Sequence, residues 1–86
     1  MDVTVYGPLR SATGDKHVSI EFDGGTVRDA LDTFVTAYPR AERHLFQDDG
    51  ALISSVRIAL DGEPADLEDH CTEDATLTIH PAMRGG

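Results

Sequence analysis

The chain has few of the residues that small proteins use to reinforce a fold or to bind nucleic acid. Its 86 residues include one cysteine, one lysine and no tryptophan, and 7 Lys and Arg stand against 16 Asp and Glu, for a formal net charge of −9. The lone Cys71 excludes an internal disulfide, so the fold depends on packing. The acidic balance argues against binding to a phosphate backbone, and we expect no nucleic-acid partner.

Long apolar runs are absent as well. No stretch of about 18 apolar residues offers a membrane span, and the chain enters a strand-like pattern directly after Met1, without the basic and apolar segments of a secretion signal. We therefore expect a cytoplasmic monomer with no membrane contact. Its acidic excess, with Lys16 as the one lysine, favours a halophilic source over an ordinary acidic domain.

The alternation of apolar and polar residues predicts four strands in one small domain. These strands cover residues 2–6, 16–22, 56–61 and 76–80. A long loop is expected between the first two strands, with Leu9 folded into the core. The acidic connection over residues 63–74 is expected to contain only short local turns.

A helix is predicted between the second and third strands. Thr26 is suited to cap its N-terminus, and Asp29 three residues later supplies a weak capping box. The helix ends near Tyr38, because Pro39 disfavours helical geometry in the residue before it. Its apolar residues recur at helical spacing and form one stripe. Residues 40–46 predict a short extra helical turn.

An amphipathic helix with one apolar stripe needs a sheet face to cover, which predicts a two-layer α+β fold. The order strand, strand, helix, strand, strand fits a ubiquitin-like β-grasp domain over residues 1–80, with four to five strands in a mixed sheet packed against one main helix. A split β-α-β variant would use much the same elements. In the β-grasp arrangement the last strand runs parallel beside the first, and residues 81–86 form a flexible C-terminal tail.

The chain ends in two glycines, Gly85 and Gly86. Because glycine has no Cβ, such an end can enter a narrow channel that would exclude any side chain. A terminal carboxylate is a poor electrophile, but transfer of AMP from ATP converts it into a mixed anhydride. A sulfur or amine nucleophile then displaces AMP. The sequence thus predicts a carboxylate that a partner enzyme activates.

A series of short motifs carries a resemblance to a known family. They are Tyr6-Gly7-Pro8-Leu9-Arg10, Thr13-Gly14, Thr26-Val27-Arg28-Asp29-Ala30-Leu31, Tyr38-Pro39, Leu45-Phe46, Asp49-Gly50, Val56-Arg57-Ile58, Asp61-Gly62 and Gly85-Gly86. In this order they resemble the small subunit of molybdopterin synthase and, equally, the archaeal ubiquitin-like small modifier proteins of the same sulfur-carrier superfamily. The resemblance implies a β-grasp fold and adenylation of Gly86 by an E1-like enzyme.

Two outcomes of that activation are implied by the resemblance. One is an isopeptide bond to lysines of target proteins, and the other is a thiocarboxylate for sulfur transfer. The ending Arg84-Gly85-Gly86 is similar to that of ubiquitin and favours the modifier. The alternatives are a dedicated sulfur carrier, working with a molybdopterin synthase large subunit or a tRNA thiolation enzyme, and a non-covalent β-grasp interaction domain. We expect no enzyme activity and no bound cofactor, since the partner enzyme uses the ATP.

Besides the terminal glycines, several residues are candidates for contact with partners. They are His80, Arg57 and the tail lead Pro81, Ala82, Met83 and Arg84, with His17, Ser19, Ala59 and Thr78 on the same exposed sheet face. Lys16 is a candidate acceptor for a second copy of the chain. Cys71 is expected to be inert, because the carboxylates near it in sequence raise the pKa of its thiol. The histidines lack metal-ligand spacing, and no metal is expected.

Overall fold

The computed structural model describes residues 1–81, and residues 82–86 lie outside it. Seven strands, three α-helices and one 3₁₀ turn follow one another in this part of the chain. In order they are β1 (Asp2–Val5), α1 (Pro8–Thr13), β2 (His17–Ser19), β3 (Gly25–Thr26), α2 (Val27–Ala37), the 3₁₀ turn (Pro39–Ala41), α3 (Glu42–Leu45), β4 (Arg57–Leu60), β5 (Glu63–Pro64), β6 (His70–Cys71) and β7 (Thr76–His80). No helix within residues 1–81 is long and apolar enough to cross a membrane.

Five of the strands form a mixed sheet in the order β2-β1-β7-β4-β5. The first and last strands run parallel in its middle, with Val3 beside Leu77 and Val5 beside Ile79, while the other pairs are antiparallel. These four side chains are fully buried, since alternate residues of a strand point to one face. The predicted β-grasp arrangement with a parallel central pair is therefore confirmed.

Helix α2 covers the buried face of the sheet as predicted. The Thr26 side chain accepts a hydrogen bond from the Asp29 amide at 3.1 Å, and the Asp29 carboxylate accepts one from the Thr26 amide at 3.1 Å. This reciprocal pair satisfies two amide groups at the start of the helix. The predicted extra helical turn after Pro39 is also present, as the 3₁₀ turn and α3.

The loop predicted between the first two strands contains a short helix, so that prediction was wrong. Helix α1 begins with Pro8, whose fixed φ suits the first turn, and ends at Gly14, whose φ of +83° is left-handed. The amide of Gly14 donates to the Arg10 carbonyl at 2.8 Å and closes the helix. Leu9 is fully buried, as expected for a residue that fills the core.

The connection over residues 63–74 was predicted to contain only short local turns, and that prediction was also wrong. It contributes β5 to the main sheet, and β6 pairs with β3 in a separate two-stranded sheet. The amides of Val27 and Arg28 donate to the Asp69 and Leu67 carbonyls at 2.8 and 3.0 Å. Since the first amides of a helix have no partner within it, the connection caps α2.

Gly25 has a specific role beside this cap. Its φ is +150°, and a Cβ built on it would lie 2.7 Å from an oxygen of the Asp29 carboxylate. Any larger residue would push that carboxylate away from the Thr26 amide. The glycine therefore leaves room for the capping box.

Candidate functional site

The candidate site starts at the end of β7, the central strand from which the predicted tail continues. His80 is the last residue of this strand, and β1 and β4 hydrogen-bond to its two sides. A strand held on both sides has no free edge along which it can shift. The position of His80 is therefore fixed by the middle of the sheet.

The His80 ring stacks on Tyr6. Their ring centroids lie 4.5 Å apart and the ring planes differ by 4°. The stack follows from the parallel register. Val5 pairs with Ile79, so Tyr6 and His80, the residues that follow them, are neighbours on the opposite face of the sheet. The sequence pattern alone indicates no role for Tyr6. The contact of Tyr6 with His80 could be derived only from the predicted parallel pairing of the first and last strands, and only once the register of that pair is known.

Lys16 also lies over the Tyr6 ring. Its Nζ is 4.9 Å from the centroid of the Tyr6 ring, within the range of a cation–π interaction. The residue is half-buried at the start of the edge strand β2. The amine of Lys16, the predicted acceptor, is therefore held against an aromatic ring close to His80, the residue before the predicted tail.

Arg57 completes the group from the opposite side. It faces His80 across the β4–β7 pair, and its guanidinium donates to the Ser54 carbonyl at 2.9 Å and to the Val56 carbonyl at 3.4 Å. We call Lys16, Tyr6, His80 and Arg57 the basic row. On a chain of net charge −9, the row runs from the residues next to the ends of β2 and β1 to β7 and β4, and it collects basic side chains at the end of the central strand.

The remaining residues predicted for the exposed face lie on the strands of the sheet, but they differ in exposure. His17 and Ser19 are exposed, whereas Ala59 and Thr78 are half-buried. The His17 Nδ1 shares a hydrogen bond of 3.1 Å with the Thr4 hydroxyl. The Ser19 hydroxyl donates to the Asp2 carboxylate at 3.2 Å.

The predicted tail is described at its first residue only. Pro81, which the sequence assigned to the tail, is buried. Ala82, Met83, Arg84, Gly85 and Gly86 lie outside the described residues, and their roles stay predictions.

Cys71 is buried, with 3% of its surface exposed. The pKa of its thiol is raised, first by burial and second by the negative charge of Asp29. The prediction that the pKa of this thiol is raised is confirmed. The cause differs from the predicted one, because the carboxylates adjacent to Cys71 in sequence are not the source of the shift. A raised pKa lowers the thiolate fraction, and the thiolate is the reactive form. Within residues 1–81, no cluster of three His, Cys, Asp or Glu side chains is placed to hold a metal ion.

Comparison with known proteins decides the family. The model of the ThiS family matches residues 3–86, nearly the whole chain. The chain belongs to the ThiS family. It is also 33% identical to small archaeal modifier protein 1 of Haloferax volcanii over 100% of both sequences.

Solved structures agree with this membership. The crystal structure of that Haloferax volcanii protein has a TM-score of 0.91 at 32% identity and covers 100% of this ThiS-family chain and 98% of its own. A chain of the BexX/CysO complex of Amycolatopsis orientalis gives 0.80 at 27% identity, covering 99% and 98%. A putative molybdopterin converting factor subunit 1 of Pyrococcus furiosus gives 0.74 at 18% identity over 95% of each chain, which shows the fold alone. These matches confirm the resemblance and the ubiquitin-like β-grasp fold.

Proposed function

We propose that this ThiS-family chain is a ubiquitin-like protein modifier. The carboxylate of Gly86 is adenylated by an E1-like enzyme and is then conjugated to lysines of target proteins, converted to a thiocarboxylate for sulfur transfer, or both. The observation that carries the proposal is the family match through residue 86, because it includes the terminal glycines on which the chemistry depends. The full-length likeness to a protein named as a small archaeal modifier supports the same function.

The proposed activation has two steps. A carboxylate oxygen of Gly86 attacks the α-phosphorus of ATP, pyrophosphate leaves, and an acyl adenylate forms. A sulfur nucleophile or a lysine amine then attacks the carbonyl carbon, and the C–O bond to AMP breaks. A thiocarboxylate or an isopeptide bond results. ATP and the catalytic groups belong to the activating enzyme, and this chain is its protein substrate.

The contribution of this chain is binding and presentation. Gly85 and Gly86 have no side chains, which allows the terminal backbone into a narrow active-site channel. The basic row surrounds the end of the central strand and suits an acidic surface beside such a channel. Charge complementarity of this kind raises association rates and fixes the register of docking.

A dedicated sulfur carrier is the second candidate. The likeness to a chain of the BexX/CysO complex, at 27% identity, favours it. Its partner would be a molybdopterin synthase large subunit or a thiolation enzyme that accepts the sulfur. The two candidates share the adenylation step and differ in the nucleophile that follows.

Mass spectrometry of the protein purified from its host tests both candidates. A gain of about 16 Da indicates that sulfur has replaced a carboxylate oxygen. Gly-Gly remnants on lysines of other proteins, found after digestion with a protease that cleaves after arginine, indicate conjugation. The cleavage falls after Arg84, which leaves Gly85 and Gly86 on the target lysine.

Deletion of Gly85 and Gly86 is the decisive variant, and Lys16→Arg, which keeps both glycines, is its matched control. The deletion should abolish the mass gain and all remnants on other proteins, whereas the control should retain them. A chain that keeps its partners and its cellular role without the two glycines would be a non-covalent interaction domain, and the proposal would fail.

A further inference from the structure

The strand β2 forms an open edge of the main sheet. It pairs with β1, and no other strand within residues 1–81 lies on its second side. Met1 and Ile20 exchange two backbone hydrogen bonds of 3.0 Å, and the Val5 amide donates to the Lys16 carbonyl at 2.9 Å. Hydrogen-bonded residues alternate in an antiparallel pair. The backbone groups of Ser19 and Glu21 therefore point away from the sheet.

A groove of about 540 Å³ lies beside this edge, between β2 and α2. Ile20, the residue after β2, lines it on one side, and Thr33, Thr36 and Ala37 line it from the helix. The hydroxyls of both threonines donate to helix carbonyls four residues earlier, at 3.0 and 2.8 Å. With the hydroxyls occupied in this way, the methyl groups remain to line the groove, and its surface is largely apolar.

One end of the edge is strongly acidic. Glu21 and Asp32 line the groove, and Asp23, Glu73 and Asp74 surround the adjoining surface. These carboxylates outnumber the positive groups nearby, which are the Met1 ammonium and Arg28, itself paired with Asp32 at 3.4 Å. A ligand at this end gains from positive charge.

We propose that the β2 edge and its groove bind an extended segment of another protein by strand addition. Backbone groups of the segment pair with those of Ser19 and Glu21, and its alternate small apolar side chains enter the groove over Ile20. Lysine or arginine residues at one end of the segment lie beside Glu21 and Asp23. A second copy of this chain is a poor occupant, because both copies carry a net charge of −9.

None of the residues that line the groove belongs to the basic row. β2 has three residues, so the added strand forms few backbone hydrogen bonds, and binding is weak and reversible. This surface can therefore recruit a partner without using the terminal carboxylate. A target carrying such a segment would meet the modifier before or after conjugation.

Titration of the full-length, ¹⁵N-labelled protein with a synthetic peptide tests the proposal. The probe is Lys-Lys-Val-Ile-Val-Thr with blocked ends, and the charge control is Glu-Glu-Val-Ile-Val-Thr. Amide shifts should concentrate at Ser19, Glu21, Thr33 and Thr36. The acidic peptide should bind more weakly at low salt. Shifts centred on Tyr6 and His80, equal binding of the two peptides, or no binding of the probe would overturn the proposal.

Ser19→Pro and Ser19→Ala form a matched pair of variants. Both remove the hydroxyl that contacts Asp2, but only proline removes the outward amide, and this amide is not used by the β1–β2 pair. The proline variant should bind the probe about tenfold more weakly and the alanine variant about as well as the parent chain. If proline perturbs the fold, a probe N-methylated on alternate residues tests the same hydrogen bonds from the other side. Unchanged affinity in either format would contradict strand addition.

Discussion

The two faces of the central sheet differ sharply although the same strands supply them. Ile79 and His80 are neighbours in β7, but Ile79 is fully buried under α2 while His80 is exposed and stacks on Tyr6. The strands β1, β4 and β7 thus supply the core on one side and exposed or half-buried residues on the other. Substitutions on the inner face should change stability, and those on the outer face should change binding.

Charge sharpens the contrast. The chain carries a net charge of −9 with neutral histidines, yet Lys16 and Arg57 lie on either side of the Tyr6–His80 stack at the end of β7. A local basic row on an acidic body orients an approaching partner, since the body repels acidic surfaces and the row attracts them. Under the proposed function, orientation matters because the activating enzyme must reach Gly86.

The largest effect is expected from Ile79→Ala. Truncating a fully buried isoleucine in a close-packed core lowers the free energy of unfolding by about 3 kcal/mol. Thr78→Ala, one residue earlier and on the other face, should cost about 1 kcal/mol or less. Urea denaturation of both variants measures the difference. Equal losses would show that the outer face also holds the fold together.

The reactivity of Cys71 gives a second measure of how tightly the interior of the protein is packed. Its thiol, 3% exposed, should react with a disulfide reagent about 100-fold more slowly in the native protein than in urea, because reaction requires opening of the structure. A Cys71→Ala, His17→Cys double variant places the thiol on the outer face and should react at nearly the unfolded rate. Rapid labelling of native Cys71 would show that β6 opens freely.

The raised pKa of the same thiol predicts that the free energy of unfolding depends on pH. Burial and Asp29 raise its pKa in the folded state, so the thiol ionises first in the unfolded state as the pH rises. Its contribution to stability is present below the unfolded pKa, about 8.5, and declines above it. Urea denaturation between pH 7 and about pH 10 should show this decline in the parent chain, and Cys71→Val should lack that component.

The strands of the inner face were predictable because burial imposes a period of two on their residues. The alternation around Val3, Ile58 and Leu77 marked three strands, and Thr26 with Asp29 marked the start of α2. Helix α1 was missed because six residues give too little periodicity, although Pro8 at its start and a glycine at its end were available signals.

Contacts between distant residues were harder to predict. Pattern assigns a residue to a face but does not give the register of a strand pair, so Tyr6 was not matched with His80. The pairing of β6 with β3 involves two residues on each strand, and no period exists at that length. The raised pKa of Cys71 was predicted in direction only, because its causes, burial and Asp29, come from the tertiary structure.

A double-mutant cycle on Tyr6 and His80 tests whether the outer face is more than a solvated surface. Tyr6→Leu, His80→Leu and the double variant should show a coupling energy of about 1 kcal/mol, as expected for a stacked aromatic pair. If the stack also belongs to the docking surface, each single variant should raise the KM of the activating enzyme for this chain and leave kcat unchanged. Strictly additive losses of stability would mean that the rings are adjacent without interacting.

Lys16 should give the smallest effect on stability and the most informative one on chemistry. The cation–π contact of its Nζ with Tyr6 is expected to contribute about 0.5 kcal/mol, so Lys16→Met should cost about that much and Lys16→Arg less. Because Lys16 is half-buried and its amine lies over the ring, attack on an activated Gly86 carboxylate must compete with this contact. Tyr6→Leu should therefore increase the yield of Gly-Gly remnants on Lys16 when the activating enzyme is saturated with this chain, so that a change in KM does not affect the result. An unchanged yield would show that the ring does not restrain the amine.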